Sequence, residues 1–203
     1  PPRSTLFPYT TLFRSAELYA VLPDGLWAVS SQGEIFAPVD ASSLRPLPIL
    51  TGAADELRDD PELVKPAARA PAEEKRAYRA AVEAQQDRAE RRASLLREAL
   101  SLARTATRDP VSAWVGQPLE LAWDPAMGLT VAPLAGGLEA RYGHAPFGMK
   151  HLRLKRTLDF LEKPTVQVTH VFLDNEARPN EVTVRRRTAP MAAAAEGIGE
   201  ALP

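Results

Sequence analysis

The chain contains no cysteine in its 203 residues. That excludes disulfides, thiolate metal sites and cysteine nucleophiles. Histidine is scarce as well. His144, His151 and His170 are the three present, and none are spaced as a ligand pair on one helix or turn, so they read as surface or core residues. No apolar run is long enough to cross a bilayer. Net charge is only −1, so no global field favours nucleic acid or an anionic membrane. Phosphate-loop, nucleophile-elbow and dinucleotide fingerprints are missing too. Ala135-Gly136-Gly137 is a hairpin signal without the following helix that a phosphate site needs. No spacing singles out a carboxylate pair for acid–base work. Nothing in these residues argues for catalysis, a cofactor or a bound metal.

What is present is an ordinary apolar fraction of 45% with nineteen prolines against eleven glycines, which suits a folded chain with many stiff connections. Residues 16–37 read as short strands at 17–22, 26–29 and 34–37, separated by Pro23-Asp24-Gly25 and Ser31-Gln32-Gly33. Leu26 to Val29 is apolar on both faces, which places that strand inside a sheet. In the stretch 44–52, LRPLPILTG, Pro46 and Pro48 cannot donate to a ladder, which predicts an edge or a loop. A helical turn and linker follow over 53–71.

Pro71-Ala72-Glu73-Glu74 then opens a long helix, about 73–108, that Asp109-Pro110 ends. Its stripe is Tyr78, Val82, Ala89, Ala93, Leu96, Leu100 and Ala103. The leucines cluster in its second half, so that half packs and the first projects, with pairs such as Asp87–Arg91 on its surface. Three more strands are expected at 119–123, 129–133 and 138–142. Phe147, His151, Leu154, Leu158 and Leu161 mark a second, shorter helix with a basic outer face of Lys150, Arg153, Lys155 and Arg156. VQVTHVFLD reads as a strand buried on both faces. EVTVRRR reads as the last strand, with Val182 and Val184 on one face. Trp27, Trp114 and Trp123 read as core. The fold class is therefore α+β: a mixed or antiparallel sheet packed by a long helix and a shorter one, with an edge strand at the C-terminal end. That edge is either merely protected by its charges or able to accept a strand from another protein.

Two outlying segments stand apart. Residues 188–203 lack aromatics and periodicity and read as a disordered tail. Residues 5–15, TLFPYTTLFRS, have no helical period. Back-translated, they resemble a sequencing adapter through all eleven positions, so 1–15 reads as a non-native scar on a truncated chain.

Two stretches, ELYAVLPDGLWAVSSQGEIFAPVDASSLRPLPILTG and GLEARYGHAPFGMKHLRLKRTLDFL…VTHVFLDNEARPNEVTVRR, resemble the β domain of the FtsQ/DivIB cell-division family. The likeness is carried by Leu26-Trp27-Ala28-Val29, Gly33-Glu34-Ile35-Phe36, Leu47-Pro48-Ile49-Leu50-Thr51-Gly52, Gly137-Leu138, and the run Leu173-Asp174-Asn175 with Arg178-Pro179, Val182 and Val184. It covers most of 16–187, and its LDN…Arg178-Pro179…Val form resembles that of myxobacterial-type relatives. The resemblance implies a non-enzymatic divisome scaffold. Such proteins sit in the inner membrane through one transmembrane helix, with a POTRA domain and this β domain in the periplasm. They recruit FtsB and FtsL, FtsB adding a strand to the last β-strand. The residues so implicated are Phe172, Leu173, Glu181, Val182, Thr183, Val184, Arg185 and Arg186. The helix 73–108 is longer and richer in alanine and charge than the family leads one to expect. The alternative is an α+β domain of another class, a hydrolase or nucleic-acid module whose site is assembled from distant residues.

Overall fold

The computed structural model describes residues 15–40, 42, 44–161, 167–175, 177–178 and 181–187. The proposed scar, apart from Ser15, and the proposed tail lie outside the described residues. Nine strands form one sheet in the order β3-β2-β1-β4-β5-β6-β7-β8-β9. They are β1 Ala16–Leu22, β2 Gly25–Ser30, β3 Ile35–Pro38, β4 Ile49–Thr51, β5 Leu119–Asp124, β6 Gly128–Pro133, β7 Glu139–Gly143, β8 Gln167–Phe172 and β9 Thr183–Arg187. Three helices accompany them: α1 Ala54–Leu57, α2 Ala72–Arg108 and α3 Gly148–Leu161. The chain makes antiparallel hairpins wherever a short turn allows it. It makes parallel pairs only across the long excursions, at β1–β4, β4–β5 and β7–β8, as parallel neighbours require a crossover.

Where prolines predicted an edge or loop, the structure has β4 in the middle of the sheet, between β1 and β5. The strand is only Ile49, Leu50 and Thr51, none of them proline, and the preceding Pro48 carbonyl accepts the Tyr19 amide at 2.9 Å. Proline lacks a donor but keeps its acceptor, so it can introduce an inner strand from its first residue.

One face of the sheet carries the core. Leu18, Leu50, Leu121, Val131, Tyr142 and Val171 come from six strands and are all buried in a single cluster with α2 and α3. Helix α2 divides as its composition suggests. Its buried residues begin at Leu95 and run through Leu96, Ala99, Leu100, Leu102, Ala103 and Ala106. Ala89 and Ala93, expected on the packed stripe, are exposed. In the projecting half, Arg91 lies 4.0 Å from Glu56. There, contacts are polar: Arg88 bonds Asp60 at 2.6 Å and Gln85 the Pro61 carbonyl at 3.2 Å. Of the tryptophans, Trp114 is buried and donates its Nε1–H to the Leu138 carbonyl at 3.0 Å, whereas Trp27 and Trp123 are half-buried.

The end of α2 is closed by α3. His151 is buried, with Nε2 2.7 Å from the Asp109 carbonyl and Nδ1 2.6 Å from the Tyr142 hydroxyl. A carbonyl only accepts, so Nε2 carries the proton and Nδ1 receives the Tyr142 O–H. Burial pushes the Tyr142 phenol well above its ordinary range, which keeps it a donor. Lys155 adds an ion pair to the Asp109 carboxylate at 2.5 Å, placing a cation where the helix dipole is negative.

Candidate protein-binding edge

The terminal strand β9 follows a turn built by LDN. Leu173 is buried, 1% exposed, and anchors the exit of β8 in the core. Asp174 pairs with Lys150 at 2.7 Å, and the same ammonium donates to the Tyr142 and His144 carbonyls at 2.7 Å each. The three N–H donors are thus satisfied, and Lys150 is no part of a solvated outer face as its position in the sequence suggests. Asn175 Oδ1 accepts the Arg178 amide at 3.0 Å, closing the turn, and Arg178 reaches Glu181 at 3.2 Å.

Backbone parity then decides what β9 offers. The Leu173 amide donates to the Arg141 carbonyl at 2.9 Å, so Leu173 and, two before it, Val171 direct their backbone groups to β7. His170 and Phe172 therefore direct theirs to β9, where their register partners are Arg185 and Thr183. The Thr169 hydroxyl reaches the Arg185 carbonyl at 3.3 Å on this same inner side. It follows that Val184 and Arg186 point their N–H and C=O groups outward. Among the described residues β9 has no strand on that side.

Side chains alternate across the same strand. Val182 and Val184 are half-buried and, with Arg186, face a groove of about 580 Å³ whose other wall is α3: Arg153, Arg156, Thr157, Phe160 and Leu161. Thr183 and Arg185 lie on the opposite face and are exposed. There Phe172 is half-buried, one strand in from the edge, its ring stacked on His170 at 6.5 Å and 10°. So strand β8 is buried on one face and half-buried on the other, against the expectation of burial on both. His170 sits 3.5 Å from Glu139 there.

Of the implicated residues, Val182, Val184 and Arg186 share the groove, and Thr183, Arg185 and Phe172 share the opposite face. Leu173 lies in the core, so it acts on the edge only by holding β8. Glu181 precedes the strand and is occupied with Arg178. Sequence reasoning missed the α3 wall; the signal available was Phe160, a large apolar residue off the buried stripe.

The opposite edge, β3, contrasts with this one. It is a residue shorter than β9 and ends in Pro38. Elsewhere, a half-open cavity of about 400 Å³ is lined by Leu22, Trp27, Ile35 and Leu57 among others. A second, of about 440 Å³, gathers Asp59, Asp60, Arg88 and Arg92. Three of its acids are engaged by arginines, Asp60 by Arg88, Asp59 by Arg92 at 3.4 Å and Glu56 by Arg91. Among the described residues no cluster of histidines and carboxylates could hold a metal ion. No helix there is long and apolar enough to cross a membrane. No family model matches the chain, and no curated protein matches it in sequence.

Proposed function

We propose that the chain is the β domain of an FtsQ-like division protein and works as a scaffold, taking a strand from a partner at β9. In that reading FtsB supplies the strand, FtsL accompanies it, and the domain stands on the periplasmic side of the inner membrane. The observation that carries the reading is the open edge itself: Val184 and Arg186 direct backbone donors and acceptors to a side on which no strand lies among the described residues. They lie on a strand without proline, beside a groove for alternate side chains. Main-chain bonds would supply affinity and the groove specificity. The order of motifs along the chain supports the family.

Calorimetric titration with the extracytoplasmic part of an FtsB–FtsL pair tests recruitment, and hydrogen exchange on the complex tests the mode. Strand addition predicts new protection at the Val184 and Arg186 amides, and little change at Thr183 and Arg185, which are already paired. Binding without protection at Val184 would overturn strand addition. Absence of binding would overturn the assignment.

A further inference from the structure

Helix α3 buries His151 and Leu154, with Leu158 packed partly against the core. At 100° per residue, the pole opposite those side chains is occupied by Met149, Leu152, Arg153, Arg156 and Phe160. Three of these are large and apolar, and they are exposed: Met149 64%, Leu152 40% and Phe160 84%. A surface helix ordinarily turns polar residues to this pole. Arg153 adds an anomaly, since its Nη1 is buried without a hydrogen-bond partner while Nε reaches only the Met149 carbonyl at 3.4 Å. Beside the stripe, β9 contributes Arg186, whereas Arg185 and Arg187 lie on the opposite face of the sheet. On α3 itself the acid nearest this pole is Asp159, at its flank.

We propose that the outward pole of α3, together with Arg186 of β9, docks on an anionic lipid surface. Apolar side chains flanked by arginines on a helix lying flat suit the boundary between headgroups and acyl chains. Charge complementarity chooses among lipids: Arg153 and Arg156 on the helix, with Arg186 from the same side of β9, meet phosphate headgroups. Phe160, Leu152 and Met149 enter the headgroup layer. The surface shares Arg153, Arg156 and Phe160 with the groove beside β9 but not the backbone edge of that strand, and lipid docking does not need a strand to be added there.

The test is sedimentation of the chain with vesicles of phosphatidylcholine alone and of phosphatidylcholine mixed with phosphatidylglycerol. Binding is expected to the mixed vesicles and to weaken as salt is raised. Arg156→Glu and Phe160→Ser are each expected to weaken it about fivefold or more. Arg79→Glu carries the same charge change on the projecting half of α2 and should leave it within about twofold. Circular dichroism checks that the variants fold, as these exposed positions allow. Equal binding to both vesicle types overturns the proposal, as does equal loss in Arg79→Glu or indifference to Phe160→Ser. If vesicles are ignored but Phe160→Ser blocks a protein partner, the stripe is a protein interface and the lipid assignment falls.

Discussion

Replacing Val184 by proline separates the two sides of β9, because parity puts its amide on the free side. A five-residue edge offers two outward residues, Val184 and Arg186, and hence two donors and two acceptors to an incoming strand. At about 0.5–1.5 kcal/mol net for each bond, the ladder is worth roughly 2–6 kcal/mol. Proline at 184 deletes one donor and sets its ring where the added strand must lie. That costs about 1–3 kcal/mol, or roughly 5- to 150-fold in Kd. The inner ladder survives, since Thr183 and Arg185 make it. The residue before proline must be extended, which Thr183 already is. Thr183→Pro is the counterpart: it removes a bond to β8 and should lower stability by about 1–3 kcal/mol while leaving the Val184 amide in place. Partner titration by calorimetry and urea unfolding read the two effects. Strand addition at this edge is refuted if Val184→Pro binds within about twofold of the parent, and the parity is refuted if Val184→Pro proves the more destabilising of the two.

Other perturbations address the fold that holds this edge. The Tyr142 phenol has its pKa raised by burial, so its stabilising contribution is complete below the unfolded value of 10.0 and is lost as pH rises above it; Tyr142→Phe should flatten that alkaline decline in urea midpoints. The Asp109 carboxyl is lowered by its hydrogen bond to Lys155, so its contribution is present above the unfolded value of 3.8 and disappears as pH falls through the lowered one; Lys155→Met should reduce this acid sensitivity. Leu102→Ala, at a fully buried position, should cost about 2–5 kcal/mol in urea unfolding, whereas Val82→Ala on the projecting half of α2 should cost less than about 1 kcal/mol.

The elements most legible in the sequence were those whose limits are chemical. Helix α2 starts and stops where Pro71 and Pro110 oblige it to, and its change from alanine and charge to leucine marks where burial begins at Leu95. Hairpin strands were legible because glycine turns fix their ends. What escaped was whatever depends on distant pairing. The place of β4 between β1 and β5 is set by partners far along the chain, and two prolines in front of it argued locally for an edge. Lys150 looked like one more surface base, but its three acceptors come from β7, the loop after it and the exit of β8. His151 was visible as an apolar-stripe residue, not as the partner of a helix C-cap residue 42 positions earlier. Of the edge, the strand and its alternation could be read in advance. The groove wall on α3 could not, because it exists only once the helix is laid against β9.

The LDN motif followed by Arg178-Pro179, one of those behind the proposed family resemblance, bears on this distinction. Each of its described side chains serves the fold. Leu173 fills the core, Asp174 ties β8 to α3 through Lys150, and Asn175 and Arg178 close the turn. Gly143 belongs to the same device, for a Cβ there would fall on the Asp174 carboxyl, and its φ of +67° favours glycine. A run that fixes a turn this tightly fixes where the next strand begins and which of its amides face outward. A shared motif here therefore argues for a shared edge geometry. It says little about what reads the side chains of that edge. Those side chains, Val184, Arg185 and Arg186 with the α3 wall, lie outside the turn and can change partner without disturbing it. Specificity must accordingly be sought in the groove and the arginines, and a partner predicted from the turn alone rests on the backbone.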